Sequence, residues 1–244
     1  MTMAFPIVTL AENLVRRLEA EAVRARVFGG VAIVKRALWE AYLGRPRITS
    51  DIDVVIAHAD VRDVIRNLKS VGLEVTSRAL MVGEGAFVSS EYGSVKVDIF
   101  ADPLRLNQTI HIGERMGAQS FSLAAPELLL TKFQIKFPKE TDCIDAALLV
   151  LDIDKCSTGV THDGKWDQII RACADDWCLD QACRDAIERL QQGKLGLPEK
   201  LSYGLAAASE NLLKRLLTSP KTHRWKLRSI QGRLLPTYTP VDDP

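Results

Sequence analysis

The chain has 244 residues, 47% of them hydrophobic and 26% charged, with 32 Lys and Arg against 31 Asp and Glu. Such a mix gives enough apolar material for a substantial core and excludes disordered, collagen-like and disulfide-scaffold classes. A net charge of +1 excludes a globally basic nucleic-acid binder, although a local basic patch remains open.

Residues 9–25 predict an amphipathic helix, with Thr9 as N-cap and Leu10, Leu14 and Leu18 on one face. Val27-Phe28 is a short apolar step into Gly29-Gly30, and a second helix is expected over 31–43, ended by Gly44 and Pro46. Ile52, Val54 and Ile56 alternate with Asp51, Asp53 and Val55, which is the period of a strand. A helix is expected over 60–71, then short strands near 73–77, 79–82 and 86–90, and a stronger strand at 95–100.

After about residue 114 the pattern turns helical, apart from a short segment near 118–123. Helices are expected over 125–137, 141–154, 164–192 and 198–218. The expected fold is therefore α/β (α+β), a mixed sheet flanked by helices and followed by a C-terminal helical region. Its expected divisions are 1–115, 116–218 and a tail over 219–244. From Asn211 to Val241 the chain carries Lys214, Arg215, Lys221, Arg224, Lys226, Arg228 and Arg233 and no acid, and Pro236, Pro240 and Pro244 predict an extended end.

No apolar run reaches the roughly 18 residues of a membrane span, and no secretion signal is visible at Met1–Leu10. Five cysteines, an odd number and all after residue 140, fit a reduced, cytoplasmic compartment. Cys173, Cys178 and Cys183 recur every five residues, around a helix rather than on one face, which is not a zinc spacing. None of the four histidines has an identifiable nucleophile partner.

Three features carry chemistry together. Period two puts Asp51 and Asp53 on one face of their strand, and Asp98 opposite the core face of Val95, Val97 and Ile99. If those strands are neighbours, three carboxylates meet and repel one another, a conflict that a divalent cation resolves. Magnesium takes oxygen ligands, typically one or two carboxylates plus substrate phosphates. Gly29-Gly30 before a helix adds a backbone that can approach a phosphate. Each part has a plainer reading: turn acids for the DxD pair, and a tight strand-to-helix turn for the glycines.

Phe28-Gly29-Gly30-Val31-Ala32, then Arg47-Ile48-Thr49-Ser50-Asp51-Ile52-Asp53, then Val97-Asp98-Ile99, resembles the DNA polymerase β-like nucleotidyltransferase superfamily. Within it the arrangement looks closest to AbiEii-type toxins and related small bacterial nucleotidyltransferases. Ala125 to Lys132, followed by Asp142-Cys143-Ile144-Asp145, is similar to the helical segment after the catalytic sheet in those proteins. The resemblance covers about residues 25–155. One departure stands out: Val31 and Ala32 occupy places where the family usually has Ser or Thr.

The resemblance implies that Asp51, Asp53 and Asp98 hold magnesium, two ions in all, and that Asp98 helps deprotonate an acceptor hydroxyl. It implies that Gly29, Gly30, Arg47 and Lys132 contact the nucleoside triphosphate, ATP or another, with pyrophosphate as leaving group. Lys132 could equally be a solvated helix-edge lysine, Arg47 a partner of Asp51 or Asp53, and Asp142 and Asp145 helix surface or supporting residues. Lys221, Arg224, Lys226 and Arg228, interleaved with Trp225, are candidate RNA contacts. The leading expectation is nucleotide transfer to RNA or tRNA in a toxin–antitoxin or phage-defence role, with an antitoxin protein as partner. Transfer to a small hydroxylated antibiotic is the alternative, with the acid-rich stretch from Asp163 to Glu188 supplying a pocket for a cationic acceptor. A third reading is a nucleotide or nucleic-acid binding module without catalysis, favoured by Val31-Ala32.

Overall fold

The computed structural model describes residues 4–75, 87–113, 116, 120–155, 166–193, 195–232, 235 and 237–239. They form two units, one of residues 1–105 with 111–123, the other of 106–110 with 124–244. The boundary between the two units falls at 123/124, where the sequence pattern predicts 115/116. Residues 106–110 join that unit because Gln108 N–H donates to Gln134 Oε1 at 3.0 Å and Asn107 Oδ1 accepts from Lys136 N–H at 3.0 Å.

The first unit opens with helix α1 (Ala4–Ala20), followed by strand β1 (Ala25–Phe28) and helices α2 (Gly29–Lys35) and α3 (Leu38–Leu43). Strand β2 (Asp51–Ile56), helix α4 (Val61–Asn67), and strands β3 (Glu74–Val75), β4 (Phe87–Tyr92) and β5 (Val95–Ala101) follow. The sheet runs β1-β2-β5-β4-β3, with β2 and β5 parallel and the other neighbours antiparallel. Ile52 and Val54 of β2 and Val97 and Ile99 of β5 are fully buried, as their alternation predicts.

Several local expectations are corrected. Helix α1 starts at Ala4, so Thr9 is inside it rather than its N-cap. Its buried stripe is Ile7, Ala11, Leu14, Val15 and Leu18 rather than one led by Leu10. The apolar step at 27–28 is the end of a true strand whose four residues are all buried. The helix expected over 31–43 is two helices, parted at Ala37 with φ of 51°. The strand expected at 79–82 lies outside the described residues, as does part of the 118–123 segment; within the latter, Ser122 bridges to Val27.

The helical unit contains α5 (Ala125–Phe133), α6 (Glu140–Lys155), α7 (Asp167–Asp175), α8 (Trp177–Gln192), α9 (Glu199–Thr218) and α10 (His223–Gln231). Helix α6 is buried nearly all round from Ile144 to Leu151, which makes it the axis of this unit. The helix expected over 164–192 is broken at Asp176, whose extended backbone (φ −116°, ψ 113°) starts α8 and whose Oδ1 accepts from Leu179 N–H at 3.0 Å. Ahead of its prolines, the expected tail over 219–244 contains a helix. Thr222 caps α10 by accepting from Trp225 N–H at 3.2 Å, and the chain is helical from His223 to Gln231. Among the described residues no helix is long and apolar enough to cross a membrane.

Candidate active site

Strand register decides which carboxylates can meet. Asp53 lies directly opposite Asp98 across the parallel β2–β5 ladder, and Asp51 lies opposite Lys96. Paired residues of neighbouring strands face the same side, so Asp51, Asp53, Lys96 and Asp98 share one face of the sheet. On the other side of β2, Asp53 pairs with Phe28, the last residue before the glycines. Two stretches far apart in sequence therefore flank Asp53.

The glycine pair is shaped by this face. Gly29 has φ of +63°, and a Cβ there would stand 2.0 Å from Asp53 Oδ2. A Cβ on Gly30 would stand 2.3 Å from Thr49 Oγ1. Both glycines are needed because the Thr49-to-Asp53 run packs against their backbone. The Thr49 hydroxyl in turn donates to Asp51 Oδ1 at 3.1 Å. Sequence reasoning quoted Thr49 within the motif but gave it no role; its position two residues before Asp51 was the available signal.

Asp98 is the most enclosed of the three acids. Its side chain is 9% exposed, and Oδ2 pairs with Lys96 Nζ at 3.1 Å. Its other oxygen, Oδ1, is buried and has no hydrogen-bond partner among the described residues. Sequence reasoning passed over Lys96, although its strand parity with Asp98 put it on this face. Opposite Asp98 on β4 stands Ser89, itself buried.

Magnesium suits this donor set by chemistry. The face offers carboxylate oxygens, one of them buried without a partner among the described residues, beside a backbone that lacks Cβ atoms. Among the described residues, however, no three His, Cys, Asp or Glu side chains are gathered closely enough to hold an ion between them. The strands align the three backbones, while Thr49 engages Asp51 and Lys96 engages Asp98. Side chains of like charge diverge when such partners are within reach.

The remaining sequence candidates have neighbours of their own. Arg47 lies over the Trp39 ring, with its guanidinium carbon 5.6 Å from the centroid, and donates to the Ile48 carbonyl. Arg45 lies over the same ring at 5.2 Å. Lys132, in the helical unit, is held by Asp142 at 2.7 Å and Asp145 at 3.1 Å, with its side chain 9% exposed. Burial alone would push this ammonium down, but Asp145 and Asp142 hold it above the ordinary lysine value.

The cations of the C-terminal helix turn largely onto their own unit. Lys221 pairs with Asp180 at 3.1 Å and Arg224 with Asp175 at 3.4 Å. Arg228 lies over the Trp177 ring at 5.4 Å, whereas Lys226 is exposed.

No family model and no curated protein matches this chain. Among solved structures it is similar to the antibiotic-resistance factor ANT(2'')-Ia, whose solution structure is described as revealing substrate-regulated conformation dynamics. The two are 15% identical with a TM-score of 0.38, over 89% of this chain and 100% of that one.

Proposed function

We propose that this chain is a magnesium-dependent nucleotidyltransferase, which moves a nucleoside monophosphate from a nucleoside triphosphate to an acceptor hydroxyl. The observation that carries this reading is the register of Asp53 against Asp98, with Gly29 packed on the Asp53 carboxylate. The order of glycine pair, Asp51-x-Asp53 and strand-borne Asp98, which resembles the polymerase β-like superfamily, supports it from the sequence side.

Asp53 and Asp98, with Asp51 beside them, would hold the magnesium. When bound, the metal supplies neutralisation of phosphate charge and polarisation of the phosphorus under attack. Gly29 and Gly30 leave room for the triphosphate to approach the main chain. The acceptor oxygen attacks the α-phosphorus, its bond to phosphorus forms as the bond to the β-phosphate oxygen breaks, and pyrophosphate departs. Asp98 Oδ1, buried and without a partner among the described residues, is suited to take the acceptor's proton. Positioning and charge stabilisation carry most of the rate in such a site.

For the acceptor we favour RNA, with tRNA as the first candidate, in a cytoplasmic toxin or phage-defence role opposed by an antitoxin. Exposed Lys226 and half-turned Arg224 on α10 are the residues that support an RNA surface. Incubation with each labelled nucleoside triphosphate and magnesium, alongside total RNA or a panel of hydroxylated antibiotics, tests both parts. Label on RNA that disappears in Asp53→Asn is the expected result. Label on an antibiotic instead would keep the chemistry and change the acceptor, and nucleotide binding with no pyrophosphate from any acceptor would overturn the enzyme.

A further inference from the structure

We propose that Lys96 is a resident counter-cation of Asp98 on the carboxylate face, pairing with it while no divalent ion is bound and yielding that oxygen when one enters. The inference rests on the reading of this face as a metal–nucleotide site. It adds a control on metal affinity that the aspartates by themselves do not supply.

Lys96 stands opposite Asp51 in the β2–β5 register and two residues from Asp98, on the same face as Asp53. Its Nζ is 3.1 Å from Asp98 Oδ2. The two partners differ in freedom: Lys96 is 44% exposed, whereas Asp98 is 9% exposed. Asp98 is fixed by its strand and its enclosure. Lys96 reaches over from solvent on a flexible stem and can withdraw into water at little cost.

Lys96 brings a single positive charge to Asp98, whose Oδ1 stays buried without a partner among the described residues. A magnesium ion brings twice the charge and prefers the same oxygens. Lysine and ion therefore compete for Asp98, and the like charges also repel. The lysine weakens metal binding to the empty face. Once a triphosphate arrives with its metal, the released ammonium gains phosphate oxygens as new partners, so metal and nucleotide favour each other's entry.

The test measures manganese binding to the full chain without nucleotide, by the loss of the free-ion paramagnetic signal, together with melting temperature in chelator and in manganese. Lys96→Met keeps the apolar stem and removes the charge. It is expected to bind manganese about tenfold more tightly than wild type, to melt lower in chelator, and to gain more from manganese. Lys96→Arg should stay near wild type, and Lys96→Gln repeats the measurement if the methionine variant does not fold. Asp53→Asn should bind no ion. Unchanged or weaker affinity in Lys96→Met, with binding still lost in Asp53→Asn, overturns the role of Lys96 and leaves the site standing. No saturable binding in either wild type or Lys96→Met overturns the metal site and the lysine's role with it.

Discussion

Asp53 and Asp98 face one another across the parallel strands β2 and β5, paired residue to residue although far apart in sequence. Parallel pairing needs a long crossover, and everything from His58 to Gly93 lies between these two strands. The sheet thus sets residues 53 and 98 side by side on neighbouring strands, which the chain would otherwise keep apart. Replacing Asp53 by Asn removes one carboxylate from this face and keeps its volume. The variant is expected to keep a cooperative melt in chelator, and to lose magnesium-dependent pyrophosphate release by roughly a thousandfold or more. A stable variant with wild-type turnover would remove Asp53 from the chemistry.

Gly29 and Gly30 answer to different neighbours. Gly29→Ala puts a methyl group on Asp53 Oδ2 at a backbone with φ of +63°, and should cost about 1–3 kcal/mol. Gly30→Ala meets the Thr49 hydroxyl at 2.3 Å and its Cβ at 2.9 Å. Thr49→Ala deletes the nearer atom, so Gly30→Ala should be less damaging in that background than alone. A double-mutant cycle by urea denaturation reads the coupling. Additive losses would mean that Gly30 and Thr49 do not press on one another.

The DxD strand was legible because Ile52 and Val54 alternate with acids, and β5 because Val97 and Ile99 bracket Asp98. Strand β1 was less so: Ala25, Arg26, Val27 and Phe28 are all buried and show no alternation. Arg26 is enclosed there with its guanidinium on Glu19 at 2.9 Å, a tertiary pairing with no local signature. Helix α10 was hidden by its charges and by the prolines beyond it. Its Thr222 cap was readable, but the acids that receive its cations, Asp175 and Asp180, come from α7 and α8. Lys96 drew no reading from the sequence, and only the strand register puts it beside two of the three acids.

Lys132 is the cation most enclosed by acids in the helical unit. Asp145 is fully buried and Asp142 partly so, and both oxygens that face Lys132 are within 3.1 Å. Lys132→Met takes a buried cation away from both carboxylates and should cost about 3–5 kcal/mol. Because the folded state holds this ammonium above the unfolded value of about 10.4, its stabilisation is complete at neutral pH. It fades only as pH rises past that value and through the higher folded one. The gap between wild type and Lys132→Met in urea unfolding should therefore be flat from about pH 6 to 9 and narrow above about pH 10.5. A gap that closed near neutral pH would mean that the lysine is not held as an ammonium.

Helix α10 buries no residue of its own, so polar contacts hold it. The central one is Asp180, fully buried, which receives Lys221 at 3.1 Å, Arg184 at 2.7 Å and the Trp225 indole N–H at 3.3 Å. Thr222 N–H adds a bond to the Ala174 carbonyl at 3.0 Å. The Arg224–Asp175 pair is exposed on both sides and contributes little in salt. Asp180→Asn should thus release α10 at any ionic strength, seen as faster tryptic cleavage at Lys221 to Arg228, while Asp175→Asn should change cleavage little. The same division bears on RNA. Exposed Lys226 and Arg224 can meet a phosphate without breaking an enclosed pair, whereas Lys221 must first leave Asp180. Lys226→Ala should lower RNA affinity several-fold at low salt and flatten its salt dependence, and Lys221→Ala should act on helix docking first. Equal and salt-independent effects of the two would show that α10 is a structural strap and not a nucleic-acid surface.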